Sequence, residues 1–151
     1  MKPNYWISFL LLIGILMMGN RPHTVELTGH WLRINDDFAG MLLEVEQTKN
    51  GYVGTFINVP NNIADDVYKV GNVKWKGFHE VEENTYHIRS LGRTSMRQGK
   101  GVYRDMYLKV VSQDQIEIQA FVQDLYIGNI QTWIRKLPEQ AKRNIVIDGH
   151  S

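Results

Sequence analysis

The densest concentration of one kind of chemistry in this chain is cationic. Gly92-Arg93-Thr94-Ser95-Met96-Arg97-Gln98-Gly99-Lys100-Gly101, with Arg104 just beyond it, sets four positive side chains in about twelve residues without an acid. A guanidinium presents a planar fork that accepts a carboxylate or phosphate by two parallel hydrogen bonds, and glycine-rich backbone can close on the anion. Arg93, Arg97 and Arg104 are therefore expected to receive an anionic head group. A solvated charge run is the alternative, and the spacing is not that of a phosphate-binding loop, since no Gly-Lys-Ser or Gly-Lys-Thr follows and no helix begins there.

Other candidate chemistry is sparse. His23, His30, His79, His87 and His150 are scattered, and although His79 and His87 flank an expected turn, no carboxylate or cysteine completes a metal set near them. Asp36-Asp37 and Asp65-Asp66 are adjacent on expected loops, where neighbouring carboxylates seldom converge on one atom as a paired acid and base must. Ser90 and Ser95 lack the strand-turn-helix setting of a nucleophile. The chain is read as non-catalytic, with no cofactor and no metal site.

The first twenty residues run from charge to hydrocarbon. Lys2 precedes an apolar stretch from Trp6 to Gly19, and the chain turns polar at Asn20-Arg21-Pro22-His23. About fourteen apolar residues suit a signal-peptide core and fall short of the roughly 20 that span a bilayer as a helix. Export to a periplasm or the cell exterior is expected, with a membrane anchor over residues 6–19 as the alternative, because Met17 is bulky where a cleavage site prefers a small side chain. Cysteine is absent, which excludes an acylated leader, a thiol nucleophile and a disulfide. Without Lys2 the remainder carries 16 basic and 16 acidic side chains, so nothing global attracts nucleic acid.

What must position the arginines is a sheet. Beyond the leader the periodicity is two, over Leu27–Ile34, Met41–Gln47, Tyr52–Val59, Val67–Val70 with Val73–Phe78, Thr85–Leu91, Val102–Val111, Gln115–Val122 and Asn129–Lys136. Asn50-Gly51 is a hairpin signal with positive φ expected at both residues, and Glu82-Glu83-Asn84 and Ser112-Gln113-Asp114 are further turns. About eight short strands joined by tight turns predict an all-β, eight-stranded antiparallel up-and-down barrel over residues 26–136, with a tail over 137–151. Phe56, Trp75, Tyr86 and Met106 fall on its inward face. Such a barrel holds either packed side chains or one small ligand.

The two ends of the barrel region carry a paired signature. Leu27-Thr28-Gly29-His30-Trp31 opens it and Gln131-Thr132-Trp133-Ile134-Arg135 closes it. Gly29 lets the chain turn beneath a floor, Trp31 plugs it, and Arg135 can lie across the indole, a contact that contributes roughly 0.5 to 2 kcal/mol. With Gly51-Tyr52-Val53-Gly54-Thr55-Phe56 between them, these segments resemble the calycins, the group of lipocalins, avidins and small bacterial lipocalin-like domains. The resemblance implies a barrel with its floor at Gly29, Trp31 and Arg135. It departs from the avidin pattern at Arg33, Phe56 and Asn58, where that family places an Asn, a Tyr and a Thr on its ligand, so biotin is disfavoured. The connection from Asn35 to Gly40 is also too short for the long lid of the lipocalins.

Two functions fit these observations. One is an exported binding module for a small apolar or amphipathic molecule, with Phe56, Trp75, Tyr86 and Met106 as walls and Arg93, Arg97 and Arg104 at the rim. The other is a cell-envelope structural or protein-interaction domain with a filled barrel, motivated by Tyr103, Tyr107, Val111 and Phe121 on the outward face.

Overall fold

Alternating strands bury their apolar face without helices only against another sheet or by closing on themselves. The computed structural model describes residues 25–94, 99–122, 125–137 and 139. The expected leader, Arg97 and most of the expected tail lie outside the described residues. Within them the chain forms β1 (Gly29–Ile34), β2 (Leu42–Thr48), β3 (Gly51–Asn58), β4 (Val73–Glu82), β5 (Thr85–Arg93), β6 (Gly101–Ser112), β7 (Gln115–Val122) and β8 (Leu125–Lys136). Each strand pairs antiparallel with its sequence neighbour, and β8 returns to β1 to close an eight-stranded barrel.

The two ends of the barrel are built differently. At one end β2 and β3, β4 and β5, and β6 and β7 are joined by turns centred on Lys49–Asn50, Glu83–Asn84 and Gln113–Asp114. At the other end run the connections 35–41 and 59–72, and there β5 ends at Arg93 and β6 begins at Gly101. Short turns leave no chain to spare for a mouth, so the looped end alone has material with which to open.

Three local features differ from expectation. Val67–Val70 is not part of the fourth strand, because side chains satisfy its backbone in a turned conformation: Asp65 Oδ1 accepts the amides of Val67 and Tyr68 at 2.9 and 2.7 Å, and Asn72 Nδ2 donates to Val67 O at 2.9 Å. At the first hairpin only Gly51 has positive φ, at 101°; Thr48 pairs with Gly51 across Lys49–Asn50, so the glycine follows the turn as a bulge residue and Asn50 needs no left-handed backbone. β8 begins at Leu125 and not at Asn129, because the sheet absorbs Gly128 (φ 76°) where the β7–β8 register shifts between Ile118 and Ala120.

The tight-turned end is sealed by Trp31, which has no exposed surface. Its Nε1 donates to Leu27 O at 2.8 Å, so burial leaves the indole donor satisfied. Trp31 and Arg135 are register partners across the β1–β8 seam, and the Arg135 Cζ stands 4.4 Å from the indole centroid. Its other nitrogens tie three chain segments together, with Nη1 donating to Thr28 O at 2.6 Å, Nη2 to Glu26 O at 2.5 Å and Nε to Gln113 O at 2.8 Å. Gly29 is required twice over: its φ is 120°, and a Cβ there would sit 3.1 Å from Arg135 Nη1.

Replacing Trp31 with Ala is expected to cost about 3 to 5 kcal/mol, as truncation of a large buried aromatic does. Urea titration of the two proteins measures it, and a loss below about 1 kcal/mol would show that the floor is not a stability determinant.

Candidate binding site

Strand alternation carries Arg33 into the barrel two residues after Trp31, and an interior guanidinium needs a carboxylate nearby to offset its desolvation. Asp36 supplies it from the β1–β2 connection, with Nε 3.0 and 2.8 Å from its two oxygens and Nη2 2.7 Å from Oδ2. The guanidinium lies between the Trp133 ring, at 5.7 Å, and the Phe38 ring, at 4.8 Å. Phe38 meets Tyr68 edge-on at 5.8 Å, and Tyr68 meets the interior Phe56 at 5.9 Å. Tyr68 thus joins the 59–72 connection to the interior, alongside the buried Ile63 and Val67.

Two of the expected rim arginines hold this cover down. Arg93 Nη2 donates to Ile63 O at 2.6 Å, and Nε lies 2.7 Å from Asp65 Oδ2, an ion pair set off the line of a good hydrogen bond. The Arg93 Cζ is 4.5 Å from the Tyr68 ring centroid. Burial works against ionisation of Asp65, but the amides of Tyr68 and Val67 and the Arg93 charge outweigh it and hold its carboxyl below the usual value. Arg104 Nη2 donates to Arg93 O at 2.7 Å. As the register partner of Ser90, Arg104 shares the inward face of β5 and β6 at their looped end while remaining exposed.

Beneath the cover sits a residue that alternation alone assigns to solvent. The β3–β4 register steps from Gly54 opposite Trp75 to Thr55 opposite Val73. Lys74 is therefore the extra residue of a β-bulge, freed from the face its position in the strand would dictate. It is 2% exposed, next to a Trp75 that is fully buried. Its Nζ donates to Leu91 O and stands 5.3 Å from the Tyr68 ring centroid. Desolvation, reinforced by the positive Arg33 and Arg104 and only partly opposed by Asp36, pushes its pKa down to about 7.

Four further polar atoms face the interior unpartnered. Ser90 Oγ, Trp75 Nε1, Trp133 Nε1 and Gln131 Oε1 are buried and make no hydrogen bond. Ser90 pairs with Trp75, and Trp133 with Arg33. The two indoles meet edge-on across the barrel at 4.8 Å, so the interior is filled at their level and any occupant lies between them and the cover. Each unpaired buried group costs about 1–3 kcal/mol, and such groups recur where a ligand supplies the missing bonds.

Of the expected walls, the structure brings Phe56 and Trp75 to this region. Met106 is a buried register partner of Ile88 and Ala120. Tyr86 is elsewhere, beside the Glu83–Asn84 turn with its ring 6.3 Å from Phe78. Lys74, Tyr68, Asp65 and Ser90 were missing from the expected binding set. The only local hint of the bulge is Gly71-Asn72, where Gly71 has φ 92° just before β4.

His79 and His87 are register partners, and His87 Nε2 lies 3.4 Å from Asp105 Oδ1. Among the described residues no three His, Cys, Asp or Glu side chains converge as a metal set would.

No family model, curated protein or solved structure matches this chain. Its likeness to the calycins therefore stands on topology, an eight-stranded closed antiparallel barrel.

Burial of Lys74 has a consequence for stability. The unfolded chain holds this proton up to about 10.5, whereas the folded one releases it near 7. Between those values the unfolded state binds more protons, so stability rises with pH, by up to about 1.4 kcal/mol per unit. Tyr68, Tyr86 and Tyr103, raised above 10.0 chiefly by burial, act in the opposite sense, and mainly as pH passes through the unfolded value of 10.0. Urea midpoints at pH 7.5 and 9.5 are expected to rise in the natural chain and to flatten in Lys74→Met; parallel pH profiles for the two would contradict a buried lysine charge.

Proposed function

We propose that this chain is an exported, lipocalin-like binding module that takes a small amphipathic molecule into the looped end of its barrel. The observation that carries this reading is the set of buried, unpartnered polar atoms, Ser90 Oγ, Trp75 Nε1, Trp133 Nε1 and Gln131 Oε1. They lie on the inward face of strands that run to the looped end. Ligand sites are concave, largely apolar, and carry a few polar groups that orient the occupant. Phe56, Trp75 and Tyr68 supply the apolar surface, while Arg33 and Lys74 polarise it.

Entry requires the 59–72 connection to lift. The Arg93–Asp65 pair and the Arg93–Ile63 hydrogen bond oppose that movement, giving Arg93 the part of a clasp while Arg104 marks the rim. The sealed Trp31–Arg135 end offers no second route. Export and a lipocalin-like relationship rest on the apolar leader and on the paired end segments.

A second reading has an observation of its own. A groove of about 530 Å³ lies outside the barrel, lined in part by Tyr107, Lys109, Glu117 and the half-exposed Ile130. It fits the alternative of a cell-envelope protein that works through its outer face. Light scattering after size exclusion separates this reading from a monomeric carrier.

For the carrier, titration with octanol, octanoate and octanamide is expected to give a saturable change in tryptophan fluorescence, since Trp75 and Trp133 lie inside the barrel beside the unpartnered groups. Asp65→Asn is expected to raise association and dissociation rates together by weakening the clasp. Absence of a saturable response to every one of these amphiphiles would rule the carrier out.

A further inference from the structure

Lys74 carries a charge that the rest of the covered end leaves unbalanced. Arg33 is neutralised by Asp36, and Arg93 by Asp65. Arg104 is exposed, where water offsets its charge. Among the described residues no carboxylate forms an ion pair with Lys74, and its bonded partner is the neutral Leu91 carbonyl. An ammonium has three donors, so two remain after Leu91 is served. Ser90, the register partner of the adjacent Trp75 and the residue just before Leu91, is 1% exposed and its hydroxyl is unpartnered.

Resting on the reading of the barrel as a carrier, we propose that Lys74 and Ser90 form the anchor for a ligand carboxylate, so that the protein selects monoanionic amphiphiles over their neutral counterparts. One negative charge balances the one unpaired interior cation. A dianionic head group such as a phosphate monoester would leave an excess negative charge in the same low-dielectric space. Ser90 Oγ donates to the second carboxylate oxygen, and Arg104, on the adjoining strand, guides the anion at the rim. The apolar tail lies against Phe56 and beneath Tyr68. Arg93, expected from the sequence to take the head group, is occupied with Asp65 instead.

The anchor predicts a pH signature. The groups facing Lys74 are Arg33 from β1, Arg104 from β6, Asp36 from the first loop and Tyr68 from the long one. Burial raises Tyr68 above 10.0, whereas Lys74 in the free protein is pushed down to about 7. Octanoate affinity is therefore constant below that value and falls about tenfold for each unit above it, while octanol affinity is flat.

Isothermal titration of the full chain tests the proposal with octanoate, octanol and octanamide at pH 6.5 and 8.5. The expected result is octanoate binding at least tenfold tighter than octanol at pH 6.5, with the preference much reduced at pH 8.5. Lys74→Gln, which keeps a donor for Leu91 O but carries no charge, is expected to abolish the preference for the acid over the alcohol. Amphiphile held by the apolar leader would not respond to this substitution. Ser90→Ala is expected to weaken octanoate several-fold without loss of stability, and it carries the test together with the pH series if Lys74→Gln does not fold. Equal affinity for acid and alcohol in the natural chain, or a preference that survives both substitutions, overturns the anchor while leaving the carrier in place. No binding of any of the three overturns both.

Discussion

Closure of the sheet between β1 and β8 is the constraint on which the rest depends. Without it each of these strands would present an unpaired edge, and the three interior tryptophans would have no common inside. The seam is a strand ladder from His30 opposite Lys136 to Ile34 opposite Thr132. Arg135 reinforces it with hydrogen bonds to Glu26, Thr28 and Gln113 and a stack on Trp31. Charge-assisted hydrogen bonds of this kind are about twice as strong as neutral ones. They join the first strand, the last strand and the β6–β7 turn, which matters in a chain with no cysteine to link them covalently.

Closure also divides the molecule into an end that is finished and an end that is not. At the floor every strong polar group described above has a partner. At the looped end a lysine is buried against a carbonyl, and indole, hydroxyl and amide groups go unpaired. A fold that holds such groups sacrifices stability locally, and the usual reason for keeping them is function. Cationic and aromatic groups form a continuous series across that end, from Trp133 through Arg33, Phe38 and Tyr68 to Arg93. The cover is therefore held by contacts that are individually modest, which suits a segment that must both close and lift.

The outer wall follows the same economy on a smaller scale. Lys76 Nζ lies 3.7 Å from the Tyr103 ring centroid, and Tyr103 donates to Val73 O at 2.8 Å. Tyr107 stacks edge-on with Phe121 at 4.9 Å and with His87 at 5.6 Å. Outward aromatics that looked unaccompanied in the sequence are partly covered by side chains of neighbouring strands. What remains exposed and apolar, Val81, Val111 and Ile130, is scattered except where Ile130 borders the outer groove.

Period-two alternation and turn chemistry were enough to make the barrel legible, because strand faces and two-residue turns are set by residues within a few positions of one another. The pairing of Trp31 with Arg135 was readable too, since closing an up-and-down barrel brings its first and last strands together whatever lies between. The interior chemistry was not. Lys74 sits where alternation points outward, and only the register step against Thr55 turns it in. Ser90 reads as an ordinary strand residue until Trp75 and Lys74 are placed beside it. Arg93 and Asp65 were each visible as charged loop residues, but their pairing depends on how the 59–72 connection folds back over the barrel. Local sequence thus determined which residues form strands and which way most of them face. Tertiary structure decided which charges were left without a partner, because a charge is compensated by whatever the folded chain brings near it in space.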